Sequence, residues 1–163
     1  MYYRFGKAFY YISIIFFLFF LLYFYSALTD QVTYQTDGEG GISTIGKGNF
    51  FYGMIATFVA LNALVLVPPK MLETKSYRKL HKLFPIGDTY RDYLLTWFYS
   101  FGGIINLSLA TIVFYIHATN NQEEIAADEF GFFFYLIPGL LVLWIIALFL
   151  LFVGKAKQLQ KRD

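Results

Sequence analysis

The chain has 163 residues, of which 58% are hydrophobic and only 15% are charged, whereas soluble domains average roughly 45–50% and about 25%. It contains no Cys, which excludes disulfides, thiolate metal sites, iron–sulfur ligation and cysteine nucleophiles. The net charge of +2 says little as a sum, because the charges are unevenly distributed. Together these properties predict an all-α membrane protein that forms one domain over residues 1–163.

Four apolar segments are long enough to cross a bilayer, whose core of ~30 Å needs roughly 20 apolar residues per helix. The predicted spans are residues 8–28, 50–67, 93–118 and 130–153. The first is too long for a signal peptide, which favours a retained anchor. Pro68 and Pro69 are predicted to end the second span, because proline cannot continue a helix.

The Lys and Arg residues predict the orientation of these spans. Twelve of the thirteen fall in the N-terminus, in the loop 68–92 and in the tail 154–163, and Lys47 is the exception. Short loops rich in Lys and Arg stay in the cytoplasm. We therefore expect a bacterial inner-membrane protein with both termini cytoplasmic and with two acidic outer loops, residues 29–49 and 119–129. Asp128 and Glu129 in the second loop would complement the dipole at the start of span four.

The first outer loop has the pattern of two short strands around a turn. Residues 31–35 alternate polar and β-favouring side chains, residues 37–41 are rich in glycine, and residues 42–45 form the candidate partner strand. A β-hairpin and a flexible glycine-rich loop are the two alternatives.

The inner loop carries a basic amphipathic pattern. On a helical wheel, Leu72, Tyr77, Leu80, Leu83 and Phe84 share one arc, and Glu73 is the one acidic residue on the wrong side. The opposite arc is basic and consists of Lys75, Arg78, Lys79 and Lys82. This predicts a short interfacial helix that binds anionic lipid headgroups, with docking onto a partner protein as the alternative. Beyond it, Thr89–Asp92 fits a capping box for span three.

Polar residues inside the spans predict contacts between helices. Counted from the cytoplasmic ends, Asn62 lies level with Ser100, and Thr57 lies level with Asn106. Polar groups in lipid seek partners on neighbouring helices, so these four are candidate interhelical contacts, with a polar ligand pocket as the alternative. Gly102 and Gly103 permit close approach of another helix to span three.

Two further residues bear on chemistry and shape. Pro138 removes a backbone donor inside span four and predicts a helix kink. His117 lies at the outer end of span three, a whole span away from His81. The two cannot ligate one metal or haem within a chain, although a site shared with another subunit stays open for His117.

The first outer loop resembles that of SdpI-type small membrane proteins at Leu28, Val32, Gly40 and Lys47. Thr29 replaces the usual proline, Gln35 the usual histidine, and Ser43 stands where an acid is usual. The resemblance covers about twenty residues and implies an immunity or sensing role. The whole chain also resembles small, aromatic-rich four-span inner-membrane proteins of Bacteroidota, whose function is unassigned.

These features lead to an expectation about function. We expect an accessory subunit of a larger membrane complex, packed against other integral membrane subunits. The sequence offers no catalytic, cofactor-binding or metal-binding residues and no nucleic-acid signal. An autonomous sensor or immunity-type protein that uses residues 29–49 is the alternative. A small transporter or channel subunit is the third hypothesis, weakened because the spans lack ionisable groups at membrane depth.

Overall fold

The computed structural model describes residues 2–36, 42–74, 77–121 and 131–160. This part of the chain is mostly helical and contains four helices that are long and apolar enough to cross a membrane. The elements in chain order are α1 (Tyr3–Ala27), β1 (Gln31–Thr36), β2 (Ile42–Gly46), α2 (Lys47–Glu73), α3 (Arg78–Leu83), α4 (Thr89–Asn120) and α5 (Phe133–Gln160).

Helix α4 is the centre of the bundle, since α1, α2 and α5 all pack against it. The start of α1, the end of α2, the start of α4 and the end of α5 share one end, which we call the basic end. Ion pairs join these termini there, between Lys7 and Glu73 and between Lys155 and Asp88. Helices α1 and α4 therefore run parallel, whereas α2 and α5 run antiparallel to both.

Glycines allow α1 and α4 to approach closely. A Cβ on Gly6 would lie 3.1 Å from the carbonyl oxygen of Thr96, and one on Gly102 would lie 3.0 Å from the ring of Tyr10. A Cβ on Gly103 would lie 2.3 Å from the ring of Phe9. The prediction of close helix approach at Gly102 and Gly103 is confirmed.

Helix α2 does not end at Pro68, so that prediction was wrong. The helix continues through Pro68 and Pro69 to Glu73, six residues beyond the predicted end of the span. Two prolines remove two backbone donors, but the last turn is fixed by tertiary contacts. Leu72 is buried in the core, and the guanidinium of Arg91 donates a hydrogen bond of 2.8 Å to the carbonyl of Leu72.

The β-hairpin is confirmed as a two-stranded antiparallel sheet that pairs Gln31 with Gly46 and Thr36 with Ile42. The register shifts between Thr33 and Gln35, which is a bulge at Tyr34. The predicted turn, residues 37–41, lies outside the described residues. Packing explains why so small a sheet forms, because Val32 is fully buried in a cluster with α1 and α4 residues.

The predicted interfacial helix is only partly as expected. Helix α3 is six residues long, and three residues of the predicted lipid-facing arc, Leu72, Leu80 and Phe84, point into the protein. Phe84 is buried, and Leu80 packs against the same core cluster around Leu94, Leu95 and Tyr99. Tyr77 and Leu83 are exposed, so only part of the apolar arc is left for a membrane surface.

The start of α4 also differs from the prediction. The capping residue is Asp88, whose side chain accepts a hydrogen bond of 2.9 Å from the backbone N–H of Tyr90. A capping box beginning at Thr89 was therefore wrong by one residue. Asp88 is preceded by Gly87 with a φ of 88°, a left-handed turn that glycine adopts without steric cost.

Helix α5 is the most peripheral element. Most of its described residues face outward, and the most apolar segment within Tyr135–Gln160 contains no buried residue. The helix continues through Pro138, and the kink there stays a prediction. Asp128 and Glu129, the predicted partners of the α5 dipole, lie outside the described residues.

Candidate functional site

Four buried polar side chains from three helices form a hydrogen-bonded cluster, which we call the polar core. It consists of Tyr10 and Ser13 on α1, Asn62 on α2 and Asn106 on α4. The Tyr10 hydroxyl donates to Asn62 Oδ1 at 2.6 Å, and Asn62 Nδ2 donates to Asn106 Oδ1 at 2.8 Å. Asn106 Nδ2 donates to Ser13 Oγ at 3.0 Å, and Ser13 donates to the carbonyl of Tyr10 at 2.7 Å. The chain of bonds thus returns to α1, where it began.

The polar core corrects the predicted pairing of the helices. Asn62 contacts Asn106 rather than Ser100, and Thr57 is exposed on the surface of α2. The prediction assumed that the end of α2 and the start of α4 are level. Asn62 lies eleven residues before Glu73, the end of α2, whereas Asn106 lies seventeen residues after Thr89, the start of α4, so the two helix ends are not level.

A charged cluster lies at the basic end, between α1, α2 and α4. Glu73 Oε1 lies 2.5 Å from Nζ of Lys7 and accepts a hydrogen bond of 3.0 Å from the Tyr99 hydroxyl. Lys7 also lies over the rings of Tyr3 and Tyr99, at 5.4 Å and 5.1 Å from their centroids. Glu73, the residue on the wrong side of the predicted interfacial helix, therefore belongs to α2 and joins it to α1 and α4.

A polar cavity of about 370 Å³ adjoins this charged cluster and is lined by Lys7, Glu73, Arg91 and Asp92, among others. The cations and the carboxylates in its wall balance each other. Glu73 is paired with Lys7, and one guanidinium nitrogen of Arg91 is used at the end of α2. The described contacts therefore give this cavity the character of a structural ion-pair cluster at a helix junction.

The seam between α4 and α5 is held by a few specific bonds. Trp97 Nε1 donates to the carbonyl of Trp144 at 2.7 Å, and Trp144 Nε1 donates back to Ser100 Oγ at 3.0 Å. At the basic end, the buried ammonium of Lys155 pairs with the carboxylate of Asp88. Ser100 is thus an interhelical contact, but its partner is on α5 and not on α2.

The described residues leave two openings along the seam, one on each side of the bonds between Trp97, Ser100 and Trp144. One, of about 460 Å³, lies at the basic end between Tyr90, Trp97 and Leu150, and the other, of about 340 Å³, lies between Tyr115, Phe133 and Pro138. Their walls are mostly ring and aliphatic carbons. Helix α5 therefore contacts α4 at intervals and does not pack continuously along it.

His117, at the far end of α4, is buried. Its ring packs on Phe24, with 4.5 Å between centroids, and the side-chain amide of Asn121 lies 3.1 Å from Nδ1. Among the described residues, no group of three or more His, Cys, Asp or Glu side chains is placed to hold a metal ion. His117 therefore has packing and hydrogen-bonding contacts in this chain, and a site shared with another subunit stays a prediction.

The predicted lipid-binding or partner-binding surface is exposed where it is described. Arg78, Lys79 and Lys82 all lie on the surface of α3, while Lys75 lies outside the described residues. These three side chains lie outside the core and are exposed at the basic end.

Sequence reasoning missed Tyr10, Ser13 and the partners of Glu73. Ser13 is a lone small polar residue in a span crowded with Phe, which is a signal for a close interhelical contact. The isolated acid Glu73 in the apolar arc was a second signal. Lys155 and Asp88 gave no comparable signal, because each lies at a helix end where a charge is ordinary.

Comparison with known proteins gives no relative: no protein-family model, no curated protein and no solved structure matches this chain.

Proposed function

We propose that this chain is an integral subunit of a larger assembly in the bacterial cytoplasmic membrane, where it stabilises its neighbours and performs no chemistry of its own. The observation that carries the proposal is the saturation of the polar core. Asn62 uses Oδ1 for Tyr10 and Nδ2 for both Asn106 and the carbonyl of Phe58. Polar side chains at membrane depth are thereby committed to holding helices together.

A saturated polar core favours a scaffold over a transport pathway. Ion and substrate pathways need polar or ionisable groups that face a cavity, whereas Ser13 and Asn106 are fully buried. The two openings along the α4–α5 seam are mainly apolar and contain no Asp, Glu, Lys or Arg in their described walls. Neither opening has the lining expected of a transport pathway.

The outer face of α1 supports contact with another protein. Large side chains along the full length of this helix remain exposed, including Phe5, Tyr11, Phe16, Phe19 and Tyr23. Association of helices in lipid depends on van der Waals packing, and a broad aromatic face supplies much contact area without polar requirements. We propose this face as the docking surface for a neighbouring subunit.

The proposed orientation places the basic end in the cytoplasm. It rests on the distribution of Lys and Arg and on the positive-inside rule. Because the chain has no Cys, single cysteines can test it with membrane-impermeant reagents. Lys79→Cys should be protected in intact cells, and Ser43→Cys should be labelled. The reverse pattern would contradict the orientation.

The subunit proposal is tested by purifying the tagged chain in a mild detergent or in polymer-extracted native discs. We expect co-purification of at least one integral membrane protein in fixed stoichiometry. Replacing Phe16 and Phe19 by Leu should weaken its recovery, and replacing Phe149 and Phe152 on α5 by Leu is the matched control. Recovery of a lone monomer under both extraction conditions would overturn the proposal.

A second candidate function, ligand sensing at the hairpin end, is favoured by one observation. The side chain of Asn120 accepts a hydrogen bond from the N–H of Thr33 and donates one to its carbonyl, each at 2.8 Å. The hairpin is therefore fastened to α4, as a sensor that transmits ligand binding would require. Replacing residues 31–48 by a neutral linker should abolish the sensing phenotype, and an unchanged phenotype would reject this candidate.

A further inference from the structure

The larger opening in the α4–α5 seam is an apolar groove at the basic end. Its walls include Tyr93, Trp97, Trp144 and Leu150, and its volume is about 460 Å³. The lining stops at Ser100 and Leu143, next to the point where Trp144 donates to Ser100. We propose that this groove binds one acyl chain of a phospholipid from the leaflet at the basic end, with an anionic headgroup beside Lys157.

The length of the groove points to a lipid chain as its occupant. Its α4 wall runs from Tyr90 to Ser100, which is about 15 Å at 1.5 Å per residue. The hydrocarbon core of a bilayer is ~30 Å thick, so the groove has the depth of one leaflet. A spanning helix of a partner protein is roughly 10–12 Å wide and would need a groove that continues past Trp144.

The polarity of the groove lining also changes along its length, as the polarity of a phospholipid changes from its headgroup to its acyl chain. The hydroxyl-bearing rings of Tyr90 and Tyr93 stand at the basic end, where aromatic side chains favour the headgroup region. Mostly aliphatic and indole side chains line the deeper part, and the hydroxyls of Thr96 and Ser100 there are bonded to carbonyls of their own helix. An acyl chain would thus meet apolar walls below and hydrogen-bond donors at its ester and phosphate groups.

Charge at the mouth of the groove favours an anionic headgroup. Gly154 lines the groove, and Lys157 lies three residues beyond it on the same face of α5 and is exposed. Lys155 is buried and paired with Asp88, so its charge is already compensated. Lysine stems extend along apolar surface while the ammonium reaches the headgroup layer, and basic side chains there attract anionic lipids.

The tryptophans provide a direct probe of occupancy. The chain has two Trp residues, and both line the groove. The purified full chain is placed in nanodiscs of phosphatidylcholine, and brominated phosphatidylglycerol is added in small mole fractions as a fluorescence quencher. If an acyl chain occupies the groove, quenching by brominated phosphatidylglycerol should saturate at a low mole fraction. Brominated phosphatidylcholine should need a severalfold higher mole fraction for the same quenching. Quenching that rises linearly with mole fraction for both lipids would overturn the proposal.

Three variants show where the lipid binds and distinguish the contribution of its acyl chain from that of its headgroup. Ala147→Phe fills the groove and should remove the saturable quenching, whereas Ile146→Phe on the exposed face of the same helix should keep it. Lys157→Gln should keep saturable quenching but lose the preference for phosphatidylglycerol. Unchanged saturation in Ala147→Phe would place the lipid elsewhere and contradict the proposal. The wild-type titration decides the matter by itself if a variant does not fold.

A photo-crosslinking amino acid at Leu150, which lines the groove and is exposed, tests the competing occupant in cells. Crosslinks to phospholipid support the proposal, and crosslinks only to polypeptide overturn it. The nanodisc titration uses the chain without partners. Its failure would therefore leave the proposed subunit function standing, and loss of co-purifying proteins would leave the lipid groove standing.

Discussion

Asn62 on α2 and Asn106 on α4 are joined by a side-chain hydrogen bond, with 2.8 Å between Nδ2 of the first and Oδ1 of the second. Both amides are also bonded to α1 residues, Asn62 to Tyr10 and Asn106 to Ser13. A single pair of asparagines therefore sets the relative height of three helices. Any sliding of α2 along α4 would leave polar groups without partners in an apolar layer.

The first prediction concerns this pair. Asn106→Leu should lower the free energy of unfolding by roughly 1–2 kcal/mol, because it removes two interhelical hydrogen bonds in a setting where each contributes about 0.6 kcal/mol on average and at most about 1.7. The measurement is reversible unfolding in detergent micelles. Thr57→Leu, on the exposed face of α2, is the control and should change little. In a double-mutant cycle, Asn62→Leu and Asn106→Leu should be non-additive, and additive effects would mean that the two residues act independently.

The second prediction concerns close helix approach. Gly102→Ala should destabilise the fold by about 1–3 kcal/mol through overpacking, because its Cβ would lie 3.0 Å from the Tyr10 ring. That ring cannot move away freely, since its hydroxyl is bonded to Asn62. Gly53→Ala is the matched control: its Cβ would have no neighbour within 4 Å among the described residues, so the variant should gain up to about 1 kcal/mol of helix propensity. The two melting temperatures should shift in opposite directions, and a stabilised Gly102→Ala variant would contradict this account of the packing.

The elements of the fold that could be predicted are those fixed by local chemistry. The spans follow from long apolar runs. Alternation over residues 31–35 before a glycine-rich segment indicates the hairpin, although a flexible loop was the other alternative until packing of Val32 was known. The close approach at Gly102 and Gly103 follows from the absence of a side chain. Each of these signals lies within one segment, and only the choice between hairpin and loop needed knowledge of a neighbour.

What could not be predicted depends on contacts between segments. Helix α2 continues past Pro68 because its last turn is held by α4, where Arg91, nineteen residues after Leu72, binds the carbonyl of Leu72. Asn62 meets Asn106 because the end of α2 is not level with the start of α4, and the offset between two helices cannot be read from either one. Phe84, directly after α3, is likewise buried in a core made by α1, α2 and α4. A helical wheel gives the apolar arc but cannot tell whether protein or lipid covers it.

The third prediction concerns the ion pair that fastens α5. The side chains of Lys155 and Asp88 are only 4% and 2% exposed, so Lys155→Met leaves a buried carboxylate at the start of α4. Removing one partner of a buried pair costs about 3–5 kcal/mol, and we expect a large fall in thermal stability in detergent. Lys157→Met, at an exposed position on the same turn, is the control and should have little effect. Adding Asp88→Asn to Lys155→Met should recover part of the loss, and a further fall of similar size would show that the two charges are not a pair.

The fourth prediction concerns the hairpin. The side-chain amide of Asn120 pairs with β1 as a neighbouring strand would, because Oδ1 accepts a hydrogen bond from the N–H of Thr33 and Nδ2 donates one to the carbonyl of Thr33. Nδ2 also donates to the carbonyl of Ile116 in its own helix. Asn120→Leu removes both bonds to β1 and leaves the edge of a two-stranded sheet unsupported, which is a marginal arrangement by itself. Hydrogen exchange measured by mass spectrometry should then be at least severalfold faster over residues 31–36 and unchanged over the middle of α4. Thr119→Val is the control, because among the described residues the Thr119 hydroxyl bonds to the carbonyl of Tyr115 in its own helix and to nothing in β1. If Asn120→Leu left exchange of β1 as slow as in the native chain, burial of Val32 would be sufficient to hold the hairpin, and the amide would not be what fastens it to α4.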